Sequence, residues 1–477
     1  MSSATLPFPN TPLFERRGLM LDISRNRVPT MGMLKWLIDR LADLRYNELQ
    51  LYTEHTFAYS EHRVVWQNAS PMTAVEIRDL DRYCSKRGIE LVPNQNSFGH
   101  MERWLKHKQY KALAESPDGF EHPITGWRDS GSTLYPSPES AAFIDALYGE
   151  LLSNFSSRFL HIGGDEPWEL GKGRSLTAVQ AKGKHRVYLD FLKELFAIAQ
   201  KYGRYPQFWA DVILERPDLV PELPQGACPI IWGYEADSPF EENCRIVSKA
   251  GFKDNFYVAP GAGNWNSFSG RLDVARANIA LAAKAGSAHG ASGFLLTAWG
   301  DNGHLQPWPT LYPALILGAL ATWGISEKNA PLEASIDTIF YQDQPPGNGH
   351  ALCLLGQIDG MLPQPAPPNS FLHTAFLAEE TKLKTLIDPI ETDRFEAVEA
   401  ALADIQSTTI DPEIEHAIKL SQFALEKCKR AKHIKILNTI KAPDINSLKD
   451  EFAKLWLQKS RPGGLEDSLS LIDKGNN

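Results

Sequence analysis

Two adjacent carboxylates, Asp165 and Glu166, follow a pair of glycines at the end of an apolar run, FLHIGGDE (159–166). Glycoside hydrolysis normally needs two carboxyl groups around the scissile bond. Gly163 and Gly164 allow a tight backbone and a close ligand approach. An acid role at neutral pH needs a raised pKa, and a neighbouring carboxylate favours one. Other apolar runs also end in chemistry. Asp22 and Arg25 close the first, Asn94, Asn96 and His100 the third, and His161 stands in the fourth. Trp209 with Asp211, Trp232 with Tyr234 and Glu235, Asn264 with Trp265 and Asn266, and Trp299 with Asp301 follow. Carboxylates, indoles and one arginine suit a sugar. The apolar faces of a pyranose lie on indoles, while its hydroxyls need fixed polar partners. Of the 12 tryptophans, Trp36, Trp104 and Trp323 read as packing residues, and Trp66 and Trp127 as loop residues on the active side.

Something must bring these run ends together. Strand-like segments occur at 18–24, 47–54, 89–95, 159–166, 205–211, 228–234, 255–260 and 293–299. Helical patterns separate most of them. Leu34, Leu37, Ile38, Leu41 and Leu44 fall on one helix face. Thr73 and Glu76 have capping-box spacing, and Gly88 stops the helix that follows. A further helix around 185–201 ends at Gly203. Alternating β and α units imply a parallel sheet, and eight of them in about 300 residues imply a (β/α)₈ TIM barrel. The competing doubly wound fold lacks a GxGxxG after the first strand. Active sites in such barrels sit at the C-terminal strand ends, where these residues fall. The expected organisation is an N-terminal extension (1–16), a catalytic barrel (17–335), a Pro/Gly-rich connection (336–370) and a smaller α-helical C-terminal domain (371–477). Ile414, Ala417, Ile418 and Leu425 mark one helix face there, and Ile434, Ile436, Leu437 and Ile440 extend the apolar pattern.

Composition narrows the partners. The net charge of −9 argues against nucleic acid. Cys84, Cys228, Cys244, Cys353 and Cys428 are odd in number and scattered, which reads as free thiols rather than a disulfide or metal framework. The N-terminal residues have no signal-peptide pattern and no apolar stretch reaches membrane length, so the expectation is a cytoplasmic protein with no membrane partner. The oligomeric state is open. The C-terminal helices are candidates for a homodimer contact or for closing the site.

The motifs carry a resemblance. HIGGDE (161–166) looks like the H-x-G-G-D-E signature of the family 20 glycoside hydrolases, the β-N-acetylhexosaminidases. LDISR (21–25), FGH (98–100), FWAD (208–211), IIWG (230–233) and AWGD (298–301) resemble that family's strand ends over about residues 17–325. The resemblance implies exo-acting, retaining removal of a terminal β-linked N-acetylhexosamine (GlcNAc, GalNAc or a decorated form) from glycans or glycoconjugates. It implies substrate assistance, one of the exceptions to the two-carboxylate rule. The sugar's acetamido oxygen attacks its own anomeric carbon and forms an oxazolinium intermediate. Asp165 orients the acetamido group, and Glu166 acts as acid and then as base. Arg25 holds ring hydroxyls, or serves as an ion-pair partner of Asp22. Trp209, Trp232 and Trp299 wall the sugar, His100 and His161 bind from behind, and Asp301 stands where the family has Glu. No metal or organic cofactor is implied.

The chain also departs from that pattern, which marks a divergent branch. Only about 16 residues precede the first strand, where the family usually has an α/β domain. Trp265, in GAGNWNS (261–267), stands where the family's acetamido-binding Tyr is expected, with Asn264, Asn266 or Tyr257 as substitutes. Two other functions compete. A metal-dependent barrel hydrolase would use His100, His161, Asp165 and His304, although no HxH or HExxH pair occurs. A non-catalytic glycan-binding protein would keep the indoles and leave the acid idle.

Overall fold

The computed structural model describes residues 6–25, 27–363, 365, 367–433 and 444–475. All eight strand segments become strands of one parallel sheet: β1 (Arg16–Asp22), β2 (Glu48–Tyr52), β3 (Glu90–Val92), β4 (Phe159–His161), β5 (Tyr205–Trp209), β6 (Cys228–Gly233), β7 (Tyr257–Pro260) and β8 (Gly293–Ala298). Each is β-branched, aromatic or leucine-rich and buried on both faces, as a parallel strand between helices and a barrel interior must be. Leu19 of β1 sits between Leu49 of β2 and Leu296 of β8. β3 and β4 close the ring. Gln95 N–H donates to the His161 carbonyl at 3.0 Å, and His161 N–H donates to the Pro93 carbonyl at 2.9 Å. The result is a TIM barrel.

Helices cover the outside with the faces expected of them. Met31–Asp43 buries Met33, Leu34, Leu37, Ile38 and Leu41, and Thr30 caps it. Ala74–Ser85 begins in a complete Thr73/Glu76 capping box. Lys184–Lys201 buries Tyr188, Leu192, Leu195 and Phe196. Between β3 and β4 the chain makes a long excursion. It contains a hairpin, Phe120–His122 paired with Gly126–Arg128, that the sequence reading does not include. Its arms are three residues long, too short to show an alternation.

The region after β8 is helical among the described residues. The segment read as a connection, 336–370, holds a full helix, Asn348–Ile358. Its buried Ala351, Leu352, Leu355 and Ile358 form an apolar face, although Gly349 and Gly356 lie within it. Helix Pro412–Ala431 buries Ile414, Ala417, Ile418 and Leu425. Ile434, Ile436, Leu437 and Ile440 lie outside the described residues. No helix among the described residues is long and apolar enough to cross a membrane.

One apolar core runs without a break from the barrel helices to Trp456 and Ile472. Polar anchors add direction to this contact. Arg461 reaches the Pro29 and Pro71 carbonyls and Glu76. Arg27, just after the β1 end, donates to Ser460 Oγ at 3.0 Å and to the Gln306 carbonyl at 2.9 Å. Its guanidinium lies between the rings of Trp308 and Trp456, 3.9 Å from Glu413. Glu413 also pairs with Lys459 and is itself buried. Removing one partner of a buried pair leaves an uncompensated charge. Glu413→Ala is therefore expected to destabilise the whole protein by about 3 kcal/mol. Urea unfolding should show a lower midpoint in one transition, and an unchanged midpoint would mean that the pair holds nothing together.

Candidate active site

The C-terminal strand ends converge on a cleft of about 430 Å³, a volume suited to a small ligand. Asp22, the last residue of β1, sets its first wall. Its Oδ1 accepts the backbone N–H of Ser24 at 2.9 Å and of Arg25 at 3.0 Å. Its Oδ2 accepts Arg25 Nη1 at 3.1 Å and the backbone N–H of Gly300 at 3.0 Å. One carboxylate thus ties the β1 loop to the β8 loop. Arg25 then lies 3.3 Å from Asp301 and 3.7 Å from Glu54, over the rings of Tyr52 and Trp299. Arg25 is therefore both an ion-pair partner of Asp22 and a wall of the cleft.

The loop carrying Asp165 and Glu166 is seated on the loop after β3. A Cβ on Gly163 would fall 1.7 Å from the Asn96 side-chain oxygen, and one on Gly99 would fall 2.3 Å from the Asp165 carbonyl. Gly163 also has φ +73, so both sterics and backbone require glycine there. His100 is held at φ +57 and Glu166 at φ +47, in the left-handed region uncommon for such residues. Strain of this kind concentrates at functional sites.

His100 stands among four charged groups. Its Nε2 is 3.1 Å from Asp165 Oδ2 and 3.5 Å from Glu166, and its Nδ1 is 3.9 Å from Glu54 and 3.5 Å from Arg25. Burial lowers the His100 imidazole, but the Asp165 charge and hydrogen bond, with the Glu166 charge, together lift it to about 9. Burial raises the Asp165 carboxyl, yet the His100 charge and hydrogen bond hold it below the ordinary range. Glu166 goes the other way. Burial raises it, His100 only partly opposes this, and the Asp165 charge adds to the rise. Two neighbouring carboxyls are thus pushed apart, one toward the ionised form and one toward the acid.

Beneath the cleft lies an aromatic cage of Trp209, Trp265, Trp299, Tyr52 and Tyr257, with Trp232 and Tyr234 against it. Trp209 and Trp299 are 6.0 Å apart, and Tyr234 stacks on Trp232 at 5.0 Å. The buried Trp209 Nε1, Trp265 Nε1 and Asp165 Oδ1 have no hydrogen-bond partner among the described residues. Buried polar groups are normally paired, so unpaired ones so near a cleft suit a polar ligand or water. Asp211, at the end of β5, is lifted to about 7 by burial and by Asp165.

Residues 14–238 match the family model described as glycosyl hydrolase family 20, catalytic domain. Over that stretch, just under half of the chain, the barrel is similar to the catalytic domain of glycosyl hydrolase family 20. A beta-hexosaminidase of Akkermansia muciniphila is 27% identical over 223 residues, 42% of this chain and 45% of its own. Hexosaminidase D of Bos taurus is 25% identical over 233 residues, 46% of this chain and 64% of its own. The matched stretch spans about half the length of relatives such as the first. The solved GH20 exo beta-N-acetylglucosaminidase from Vibrio harveyi shares the fold at a TM-score of 0.54 and 17% identity, covering 72% of this chain and 58% of that one.

In this barrel, Arg25, His100, Glu166 and Asp301 line the cleft, and Asp165 touches His100. His161 is fully buried under Trp209, accepts the Gly163 N–H at 3.1 Å, and is lowered to about 3 by burial. It is a neutral positioning residue. Trp265 packs under Gly261 in the cage and does not line the cleft. Tyr257 begins β7 and gives its hydroxyl to Glu48 at 3.1 Å, away from the strand ends. Asn264 faces Thr310, and Asn266 faces Asn302 at the cleft rim. Tyr234, which the sequence marked only as a strand-end residue, is half-buried, and its hydroxyl is raised by desolvation and by the charges of Asp165, Asp301 and Glu166. Glu54 is a second residue missed, although it too follows a strand end. No group of three or more His, Cys, Asp or Glu among the described residues is arranged for a metal ion, and His304 faces Asp22, Arg27 and Arg25 instead of His100.

The His100 environment gives a direct expectation. Nitrogen NMR should find its imidazole doubly protonated up to about pH 9. Asp165→Asn removes the leading raising influence, so the titration should move to lower pH. A neutral His100 at pH 7 in the unaltered protein would contradict the charge arrangement.

Proposed function

We propose that this chain is a β-N-acetylhexosaminidase that removes a terminal β-linked N-acetylhexosamine with retention, through substrate assistance. The observation that carries the reading is the opposite tuning of Asp165 and Glu166 around His100. The match to the family 20 catalytic domain and the relatives' names support the substrate class.

In the first step the acetamido carbonyl oxygen of the bound sugar attacks its anomeric carbon. The bond to the glycosidic oxygen breaks as Glu166 gives that oxygen its proton. Asp165, ionised, accepts a hydrogen bond from the acetamido N–H and offsets the positive charge of the oxazolinium ring. Tyr234 replaces the tyrosine expected after β7 and donates to the acetamido oxygen. In the second step Glu166, now a carboxylate, takes a proton from water. The water oxygen bonds to the anomeric carbon, the ring opens, and the acetamido group is restored. Arg25 and Asp301 hold ring hydroxyls, and the indole cage excludes water. A carboxylate next to Glu166 that served as a nucleophile of its own would instead act on sugars without an acetamido group.

The deciding assay compares aryl β-N-acetylglucosaminide and β-N-acetylgalactosaminide with the plain aryl β-glucoside. Turnover of an acetamido sugar with none of the glucoside is expected. Brisk glucoside hydrolysis would refute substrate assistance, and binding without any turnover would favour a glycan-binding protein. Glu166→Gln should lose about a hundredfold or more on poor leaving groups and less on activated aryl ones. Equal losses on both would count against the acid role.

His100 also sets the pH range. Its charge lowers both carboxyls. The rate needs Asp165 ionised and Glu166 protonated, so activity falls at low pH through Asp165 and at higher pH through Glu166. His100→Gln frees both groups to rise, and both limbs of the kcat/KM profile should move to higher pH. A shift to lower pH would overturn this assignment.

A further inference from the structure

A second cavity, of about 450 Å³, lies behind one wall of the cleft. The loops after β1 and β2 form that wall, and their residues divide between the two spaces. Ser24, Arg25 and Glu54 line the cleft, whereas Ile23, His55 and Thr56 line the cavity behind it. The wall is bonded through its thickness. Ser24 Oγ lies 2.7 Å from Thr56 Oγ1, and the Glu54 N–H donates to Ser24 Oγ at 2.8 Å. Arg103 reaches both spaces. Pro462, Gly463 and Glu466, at the turn between helices Ile445–Lys459 and Leu465–Gly475, complete the lining. The cavity therefore lies where the helical region meets the barrel, and small-molecule sites favour such junctions.

Its polar groups call for an anion. His55 is 5% exposed, and its Nδ1 has no hydrogen-bond partner. Burial, with the charges of Arg103 and Lys106, lowers this imidazole to about 3, so a neutral ring stands in a positive field. His107 Nε2, on the same lining, is also buried without a partner. Lys106 is disfavoured as a cation by partial burial and by Arg103, and an anion beside it would relieve both. Glu466 and Asp467 also line the cavity, and Asp467 lies 3.8 Å from Arg103. These carboxylates repel a bare anion, so the occupant must bring hydrogen-bond donors as well. A bare oxyanion would also leave most of the volume empty. An apolar molecule would leave the imidazole nitrogens unpaired. A phosphate carried on a sugar meets every requirement: its oxygens accept from Lys106 and an imidazole N–H, and its hydroxyls donate to the carboxylates.

We propose that this cavity is a second binding site, that it takes a small sugar phosphate, and that its occupancy is transmitted to the cleft through the shared wall. On the cleft side Glu54 is 3.7 Å from Arg25 and 3.9 Å from His100, so a movement of the 54–56 segment reaches both. The test is a titration of the full chain with glucose 6-phosphate, read by calorimetry and by nitrogen NMR of the histidines. Binding should shift the His55 resonances by direct contact and the His100 resonances through Glu54. Inorganic phosphate should bind about tenfold more weakly, and glucose more weakly still. Lys106 reaches the surface, so its replacement leaves the core intact. Lys106→Glu should weaken glucose 6-phosphate about tenfold or more and abolish both shifts together, and Lys106→Arg should keep most of the affinity. No shift at His55, or undiminished binding by Lys106→Glu, would overturn the site. Equal affinity for inorganic phosphate would overturn the sugar phosphate as its occupant. A His55 shift with His100 unmoved, or a His100 shift that survives in Lys106→Glu and so places the ligand in the cleft itself, would overturn the link between the two spaces. Every readout is one of binding, so these outcomes stand apart from the success or failure of the hexosaminidase reading.

Discussion

The contact between the His100 imidazolium and Asp165 governs the rest of the site. A buried carboxylate is unfavourable unless an opposite charge or hydrogen bonds accompany it. His100 provides both at 3.1 Å. It is itself kept charged by that carboxylate, so neither group has its state alone. Glu166 then sits beside a pair whose charges largely cancel, and burial decides its protonation. Asp211, without a cationic partner of its own, is lifted to about 7 by the same reasoning. Protonation states in this cleft follow from which carboxyl reaches the imidazole.

That arrangement demands close backbone approach, and the glycines are where it shows. Gly163 fits against Asn96 and Gly99 fits against the Asp165 carbonyl, with no room for a Cβ at either place. The loops after β3 and β4 are therefore packed closely, the Gly99 main chain on the Asp165 carbonyl and the Gly163 main chain on the Asn96 side chain. These are also the strands whose short pairing closes the barrel at Asn94 and His161. The seam of the barrel and the seat of the acid are one piece of structure.

Much of this was legible in the sequence, for definite reasons. Parallel strands buried on both faces read as continuous apolar runs, so all eight were visible. Their polar ends named Asp165, Glu166, Arg25 and Asp301. Glu54 was legible by the same rule, since it follows NELQLYT, but it was not included with the other strand ends. Tyr234 was harder to assign. An expectation that the tyrosine must follow β7 drew attention to Trp265 and Tyr257, and only the fold shows that Tyr257 starts its strand instead of ending it. The hairpin gave no periodic signal, having three residues in each arm. The helix Asn348–Ile358 was masked by the Pro and Gly residues around it, although its own apolar face was present.

The C-terminal helices have a part in this chemistry that their position in the chain does not suggest. Arg27 lies two residues beyond Arg25 and is gripped by Ser460, Glu413, Trp308 and Trp456. Burial lowers Arg27 to about 10, and the Glu413 charge opposes that fall. The far side of Arg25 is held by Asp22, which also binds Gly300. The loop after β1 is thus fixed at Arg25 by the barrel's Asp22 and at Arg27 by helices 412–431 and 445–459. Pro367, Pro368 and Asn369 line the same cleft as Asn266 and Asn302. A guanidinium placed within hydrogen-bonding reach of sugar hydroxyls must not drift with its loop, because a misplacement of about 1 Å is enough to lose much of an orienting effect. The helical region therefore acts as the rigid support of the first βα loop, and the loop's short length leaves little else to hold it.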